Sequence, residues 1–307
     1  MRIRRFSVAV LLLVAVAGCS SSTPVAKDAK PAPVAAASPL HPTAAPTTAF
    51  PVGERNITAN CGTMGVMLVN IWYPAASVGT DTPFATGEFP AVLFSHGFDL
   101  IPGNYDLLLK TWAAAGITVI APNFPHTAAG STDYDTDDLV NQPAEASCAL
   151  TKALADPILR AHVDASRIAA AGHSGGALTT VGLLSGDRDP RLIAGVVLAG
   201  GTLGLKTYTG SPAPILFVHG TKDPTVLYSL GQHAYTTDPW PKAFLTLPGE
   251  THLDPYTNPN DSALATVIAT TTDFLRWPLY GDVAAKARLA TDAKPAGQLA
   301  QDWGSAG

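Results

Sequence analysis

The chain has few charged residues, few cysteines and no basic cluster beyond its first five residues. Charged residues make up 14% of the 307 residues and apolar residues 47%, a composition typical of a chain that buries a large core. Without a basic patch it lacks the electrostatic footprint of a nucleic-acid-binding protein, or of one held to membranes by charge. The three cysteines have no metal-ligand spacing, which argues against a zinc site.

The first residues have the pattern of an export signal. Three arginines among the first five residues precede an apolar run at 8–17, which is too short to cross a bilayer. The sequence Val-Ala-Gly-Cys ending at Cys19 resembles the bacterial lipobox, in which the cysteine is lipidated. We predict a signal peptide over 1–18 and an exported lipoprotein of the cell envelope, attached to a membrane through acyl chains on Cys19. An ordinary secretory signal is the alternative.

Removal of the leader makes the chain more acidic and leaves two cysteines beyond the lipidation site. Without the three arginines, 16 basic residues stand against 24 acidic ones, a net charge of −8. In an oxidising exported compartment, two remaining cysteines more often pair than stay free. We therefore predict a disulfide between Cys61 and Cys148, with two buried free thiols as the alternative.

Composition divides the mature chain into a tether, a domain and a tail. Residues 19–50 are mostly Ser, Thr, Pro and Ala, and such a stretch cannot bury enough apolar surface to order itself. We interpret it as a flexible tether. The domain is expected over 51–281, followed by a C-terminal tail over 282–307 that is again poor in large apolar residues and carries a short helix around 283–289.

Within the domain, short apolar runs alternate with segments of helical spacing. This alternation predicts a mostly parallel central sheet with helices on both faces, the α/β class, in one domain. The predicted strands are 66–73, 91–95, 117–121, 167–171, 193–199, 214–219 and 243–247, and the predicted helices are 105–115, 139–159, the segment from 177 onward, and about 261–277, ending before Pro278.

The most informative motif is Gly-His-Ser-Gly-Gly at 172–176, a G-x-S-x-G pattern between a predicted strand and a predicted helix. A serine on such a turn, with glycine neighbours, is the nucleophile elbow of acyl-transfer enzymes. Ser174 is therefore the candidate nucleophile.

A serine nucleophile needs a base and a carboxylate that orients the base, expected in the chain order Ser, Asp, His. Asp223 follows the strand predicted at 214–219, where catalytic groups gather in such sheets. An ordinary turn aspartate is the alternative, and Glu250 is the rival acid. Of the eight histidines, His252 is the one that follows both serine and aspartate in a loop after a strand.

The oxyanion of the tetrahedral intermediate needs two backbone donors. The N–H of Gly175, directly after the nucleophile, is one candidate. The second is the N–H of Phe98, in the glycine turn Ser-His-Gly-Phe that follows the strand at 91–95. A simple glycine turn is the alternative.

Taken together, the motifs at 95–98 and 172–176 with Asp223 and His252 resemble the α/β-hydrolase superfamily over about residues 55–280. Within it the chain is most similar to the bacterial branch of platelet-activating-factor acetylhydrolases, chlorophyllases, dienelactone hydrolases and polyester-cleaving cutinases. Ser174 stands where dienelactone hydrolases have cysteine, and Gly175 where the polyesterases have methionine. The resemblance implies an α/β-hydrolase fold and a serine ester hydrolase that needs no cofactor.

About a dozen residues, 200–213, separate two predicted strands where many lipases insert a helical lid, so we expect no large lid and an open cleft. We interpret Phe98 and Tyr105 as packing aromatic residues, with walls of the cleft as the alternative. The expected substrate is a small-molecule or polymeric ester with a short acyl or exposed ester group. Thioester or amide hydrolysis by the same triad, and a non-catalytic binding lipoprotein, are the alternatives. These patterns carry no prediction of the oligomeric state.

Overall fold

A computed structural model of the chain describes residues 44–202 and 208–304. This part of the chain forms ten strands and eight α-helices, besides three short 3-10 helices. The strands are β1 (Val52–Asn60), β2 (Val66–Pro74), β3 (Gly79–Thr80), β4 (Phe89–Ser95), β5 (Thr118–Pro122), β6 (Val163–His173), β7 (Leu192–Leu198), β8 (Ile215–Gly220), β9 (Lys242–Leu247) and β10 (Gln298–Asp302). The helices are α1 (Asp106–Ala114), α2 (Gln142–Ala155), α3 (Pro157–His162), α4 (Gly175–Leu183), α5 (Tyr228–Thr237), α6 (Asp254–Thr257), α7 (Ser262–Tyr280) and α8 (Val283–Asp292).

The strands form one mixed sheet in the order β10-β9-β8-β7-β6-β4-β5-β2-β1-β3. The six strands from β9 to β5 in this order run parallel, and antiparallel pairs extend the sheet at both ends. Helices α2–α5 contribute to the core on one face, and α1 and α6–α8 to the core on the other. The predicted α/β class with helices on both faces is therefore confirmed.

Burial on both faces explains why the central strands read as continuous apolar runs. In β6, Ile168 and Ala170 pack into one core, while Ala169 and Ala171 pack into the other. Alternate side chains of a strand point to opposite faces, so both sets must be apolar when helices cover both sides. The parallel register places the ends of β4 and β6 side by side, with Ser95 opposite Gly172.

The prediction of a single helix over 139–159 is wrong, because the helix is interrupted at Asp156. Its backbone is extended (φ −60°, ψ 130°), as the residue before a proline prefers. The Asp156 carboxylate accepts the N–H groups of Ile158 and Leu159 and so caps α3. Two helices, α2 and α3, result.

The predicted helix end before Pro278 is also wrong, since α7 continues to Tyr280. Tyr280 is buried, and its hydroxyl donates to the carbonyl of Gly116. Gly281 directly follows the last helical residue, and its φ of 69° is the left-handed conformation common at helix C-termini. Although α7 has 19 residues, none of the helices in the described ranges is long and apolar enough to cross a membrane.

The fold begins earlier than the predicted boundary at residue 50. The N–H of Phe50 donates to the carbonyl of Ala114 (2.8 Å), and the Arg276 guanidinium donates to the carbonyl of Pro46 (3.0 Å). The segment 44–50 is therefore part of the folded domain rather than of the tether. Residues 1–43, with the predicted signal peptide and Cys19, lie outside the described residues.

The short helix predicted around 283–289 is confirmed as α8, but the rest of the predicted tail is structured as well. It contains the edge strand β10, which pairs antiparallel with β9 and sets Leu299 opposite Leu245. Most side chains of β10 are exposed. A strand at the edge of a sheet needs few apolar residues, and its low hydrophobicity resembles that of an unstructured tail.

The disulfide is confirmed: the sulfurs of Cys61 and Cys148 are 1.98 Å apart. It joins the turn after β1 to α2. The segment expected to lack a lid, 200–213, lies partly outside the described residues, at 203–207.

Candidate active site

Ser174 lies on the sharp turn between β6 and α4 with φ 55° and ψ −119°, a conformation that L-residues rarely adopt. The glycines two positions away on either side are required by space. A Cβ on Gly172 would lie 2.1 Å from the carbonyl oxygen of Gly176, and a Cβ on Gly176 would lie 2.0 Å from that of Ser95. The backbone approaches itself so closely here that no side chain fits at either position.

The structure brings Ser174, His252 and Asp223 into one hydrogen-bonded row. Ser174 Oγ is 2.8 Å from His252 Nε2, and His252 Nδ1 is 2.7 Å from Asp223 Oδ2. The three residues come from the loops after β6, β8 and β9, whose C-terminal ends share one edge of the sheet. The rival acid, Glu250, interacts with Asp261, while Asp223 holds the histidine ring.

Asp223 is held by four donors. Its Oδ1 accepts the backbone N–H groups of Thr225 (2.8 Å) and Val226 (2.9 Å), and its Oδ2 faces both His252 and, at 3.2 Å, His219 Nε2. Burial by itself raises the pKa of this carboxyl, but the hydrogen bonds from the two histidines and the two amides more than offset it. The pKa of Asp223 therefore lies well below its ordinary value, and the group is a fixed anion.

The two predicted oxyanion donors are also neighbours. The ring of Phe98 lies against Gly175, where a notional Cβ would be 2.7 Å from the ring edge. Gly175 is the first residue of α4, so its N–H has no partner within the helix. The positive end of the helix dipole adds to the attraction for an anion at this point.

His96, which is almost fully buried, fixes the position of the loop that carries Phe98. His96 Nδ1 donates to the carbonyl of Gly97 (2.8 Å), and Nε2 accepts the N–H of Phe124 (3.0 Å). Burial lowers the pKa of His96 to about 4, so the ring is neutral and one nitrogen remains an acceptor. The position of the loop thus depends on a fixed histidine tautomer.

Tyr105 is a packing residue, as predicted, rather than a wall of the cleft: 1% of its surface is exposed. Its hydroxyl contacts the N–H of Gly97 and the ring of His173. Sequence reasoning missed these roles of Tyr105 and His173, and also the contact between His219 and Asp223. These side chains interact between loops that are far apart in the sequence. The order of residues along the chain shows that His173 and His219 are not the base, but it indicates no other role for them.

Exposed apolar side chains stand on the loops that carry the site. Ile101 follows the Phe98 turn, Leu227 follows Asp223, and Leu253 follows His252 directly; they are 39%, 56% and 40% exposed. Each of the loops that carry Phe98, Asp223 and His252 therefore presents one apolar side chain to solvent. In residues 44–202 and 208–304, no group of three His, Cys, Asp or Glu side chains is arranged to hold a metal ion.

Comparisons with known proteins point to a family and to a fold. The Chlorophyllase family model matches residues 47–199, a stretch that includes Phe98, Ser174 and Gly175 and ends before Asp223 and His252. Among solved structures, a ferulic acid esterase from Streptomyces cinnamoneus matches with a TM-score of 0.63, at 18% sequence identity, over 78% of this chain and 93% of that esterase. A search of curated proteins found no match. The structural likeness shows the fold, and together with the family match it identifies the chain as a carboxylic ester hydrolase, a serine esterase of the α/β-hydrolase superfamily.

Proposed function

We propose that the chain hydrolyses carboxylic esters through a covalent acyl-enzyme on Ser174. The observation that carries the proposal is the unbroken row of hydrogen bonds from Asp223 through His252 to Ser174 Oγ. His252 takes the serine proton while Oγ attacks the ester carbonyl, and returns that proton to the leaving alcohol. Water then attacks the acyl-enzyme, giving its proton to His252, and the acid leaves as Ser174 is re-formed.

The backbone N–H groups of Phe98 and Gly175 stabilise the negative oxygen of both tetrahedral intermediates. The contact between the Phe98 ring and Gly175 supports this pairing, because it brings the two loops to the same place. Loss of one such donor generally raises the barrier by about 2.7–4 kcal/mol.

The substrate class that fits best is an ester with a short acyl group or an exposed ester bond, on a small molecule or a polymer. The exposed apolar side chains of Ile101, Leu227 and Leu253, on the loops that carry the site, support an apolar acyl or alcohol group, since a group bound there would cover them. One structural neighbour is a ferulic acid esterase, so feruloyl esters belong in the first substrate panel.

We further propose that the enzyme acts at the cell envelope as a lipoprotein attached through Cys19. The support is the sequence of residues 1–19 alone.

The proposal is tested with the full chain and its Ser174→Ala variant on p-nitrophenyl esters from C2 to C12 and on methyl ferulate. We expect hydrolysis that falls steeply for long acyl chains and is lost in Ser174→Ala. Ser185→Ala is the matched control, because Ser185 is also buried and its hydroxyl donates to a helix carbonyl, that of Val181. A fluorophosphonate probe should label Ser174 in the wild type and in the control variant.

The alternatives predict different results. Turnover of thioesters or amides but not of oxyesters, with Ser174 still labelled, contradicts the oxyester assignment and supports the same triad in another hydrolase. An unlabelled Ser174 in folded protein contradicts any serine hydrolase and supports a binding lipoprotein.

A further inference from the structure

A buried chain of hydrogen bonds connects the loop of the oxyanion donor Phe98 to the loop of the base His252. The N–H of Gly97 lies 3.1 Å from the Tyr105 hydroxyl, this hydroxyl lies 2.7 Å from His173 Nδ1, and His173 Nε2 lies 2.7 Å from the carbonyl oxygen of His252. Tyr105 and His173 are 1% and 0% exposed. Water therefore does not compete for these contacts.

The contacts permit one arrangement of protons. The carbonyl of His252 can only accept, so His173 Nε2 carries a proton. Burial, and then the nearby His252, lower the pKa of His173 to about 3, so the ring holds no second proton and Nδ1 accepts from the Tyr105 hydroxyl. The oxygen of Tyr105 in turn accepts the N–H of Gly97. Every donor points in the same direction along the chain, an arrangement in which hydrogen bonds strengthen one another.

This series of hydrogen bonds involves the residues directly before Phe98 and Ser174 and the backbone of His252, but it does not extend to the substrate. Gly97 directly precedes Phe98, and His173 directly precedes Ser174. The loops after β4 and β6 pack so closely that a Cβ on Gly97 would lie 3.0 Å from His173 Nδ1 and 3.2 Å from the Cβ of Ser174. The His173 ring also packs against the ring of His252, with centroids 4.9 Å apart.

We propose that Tyr105 and His173 are positioning residues, which hold the oxyanion loop and the His252 loop at the separation that catalysis needs. The proposal rests on the catalytic roles given above to Ser174, His252 and Phe98. The base and the oxyanion donors must meet the same reacting carbonyl, and a displacement of either by about 1 Å costs on the order of 100-fold in rate. A direct tie between the two loops keeps both displacements small.

Tyr105→Phe removes both hydrogen bonds of the hydroxyl and keeps the ring. We expect kcat and the rate constant of fluorophosphonate labelling at Ser174 to fall about 10- to 100-fold, with KM changed less than threefold. Tyr280→Phe is the matched control, because Tyr280 is another buried tyrosine whose hydroxyl donates to a backbone carbonyl, that of Gly116. It should lower the melting temperature about as much as Tyr105→Phe and leave both rates unchanged.

Two substitutions at His173 separate the contributions of the two hydrogen bonds that its ring makes. In His173→Gln the amide nitrogen takes the place of Nε2 and keeps the hydrogen bond to the His252 carbonyl. In His173→Asn the amide oxygen takes the place of Nδ1 and keeps the hydrogen bond from Tyr105 but loses contact with His252. We expect both variants to be slower than the wild type in labelling and turnover, and each to be faster than His173→Ala, which loses both contacts.

The labelling rate keeps this test separate from that of the ester substrate. If Tyr105→Phe is labelled as fast as Tyr280→Phe, the positioning role is contradicted while the proposed function stands. If no ester is hydrolysed but Ser174 is labelled, and more slowly in Tyr105→Phe, the positioning role is supported and only the ester assignment fails. If folded wild-type protein is not labelled at all, both proposals are overturned.

Discussion

At the scale of single residues, His219 directly contacts the carboxylate of the candidate acid, Asp223. Its Nε2 lies 3.2 Å from Asp223 Oδ2 and 2.8 Å from the carbonyl oxygen of Val226, and since both atoms are acceptors, Nε2 carries a proton. The absence of a side chain at Gly231 makes room for the ring, because a Cβ there would lie 2.2 Å from Nδ1. His219 therefore donates to the same oxygen that holds His252.

We predict that loss of this donor slows the enzyme, because the carboxylate of Asp223 is then held less firmly. In His219→Asn the amide does not reach Asp223, so Oδ2 loses one of its two donors and keeps only His252. We expect kcat/KM to fall about 5- to 10-fold, the effect of about 1 kcal/mol for a lost hydrogen bond. His219→Gln, which places an amide nitrogen at the position of Nε2, should lose less, and an unchanged kcat/KM in the Asn variant would contradict the prediction.

At the scale of elements, α2 carries polar groups into the interior beside the site. Gln142 donates to the hydroxyl of Thr127 (2.6 Å) and accepts from that of Thr179 in α4 (2.7 Å), which ties three segments together. One turn later Glu145 is 1% exposed. Burial, followed by the charge of Asp138, raises the pKa of Glu145 to about 7.

This raised pKa predicts a loss of stability as the pH rises. An unfolded glutamate releases its proton near pH 4.3, whereas native Glu145 keeps its proton until about pH 7. Between these values the native state binds more protons, so the free energy of unfolding falls with rising pH. We expect Glu145→Gln to remove a loss on the order of 3–4 kcal/mol between pH 4 and 8 in urea unfolding. The exposed control Glu88→Gln should keep the wild-type slope, and a Glu145→Gln slope equal to it would refute the prediction.

The disulfide is expected to stabilise the domain without acting on the site. It links residues 87 positions apart, so it restricts a long loop of the unfolded chain. It lies near β1, which is separated from β6 by three strands. We predict that Cys61→Ser with Cys148→Ser lowers the free energy of unfolding by about 2–4 kcal/mol, with kcat unchanged at 25 °C. Denaturant titration and initial rates measure the two effects, and equal stability with and without the bond would count against it.

The elements that sequence patterns missed share a physical reason. The parallel strands were predicted because they are apolar on both faces, which is a strong local signal. The edge strand β10 and the outer strand β1 have half-exposed patterns, and their pairing depends on partners far away in the chain. Pro157 and Pro278 show the same limit, because a new helix begins at Pro157 while α7 continues past Pro278 to Tyr280.

At the scale of the whole molecule, aromatic packing joins the C-terminal segment to the domain. The Lys286 ammonium lies 3.9 Å from the ring centroid of Trp277 in α7 and 4.9 Å from that of Trp303, just after β10. The two indole rings meet edge to face, with centroids 4.9 Å apart. This contact secures β10 against β9, the strand that leads to the His252 loop.

We therefore predict that Trp303→Ala destabilises the domain by about 1–2 kcal/mol, through lost cation–π and ring contacts. Gln298→Ala, an exposed change in the same strand, should have almost no effect. Chemical denaturation of the two variants decides the question, and equal stabilities would show that the contact does not secure the segment.

For the molecule in its cell, the lipobox predicts that Cys19 determines location. Cys19→Ala should move the protein from the membrane fraction to the soluble fraction, while the specific activity stays the same because residues 44–304 contain the whole candidate site. Mass spectrometry of the N-terminal peptide should find acyl chains on the wild type. An unmodified Cys19 in membrane-bound protein would contradict the lipid anchor.

By itself, the sequence determined the fold class, the disulfide pair and the identities of the candidate nucleophile, acid and base. These follow from local signals: buried strands, a glycine-flanked serine, and polar residues directly after strands. Only the tertiary structure decided what surrounds that row, namely the contact of His219 with Asp223 and the chain from Gly97 through Tyr105 and His173. Such contacts form between loops that are distant in the sequence, and no local pattern of residues specifies which loops come into contact.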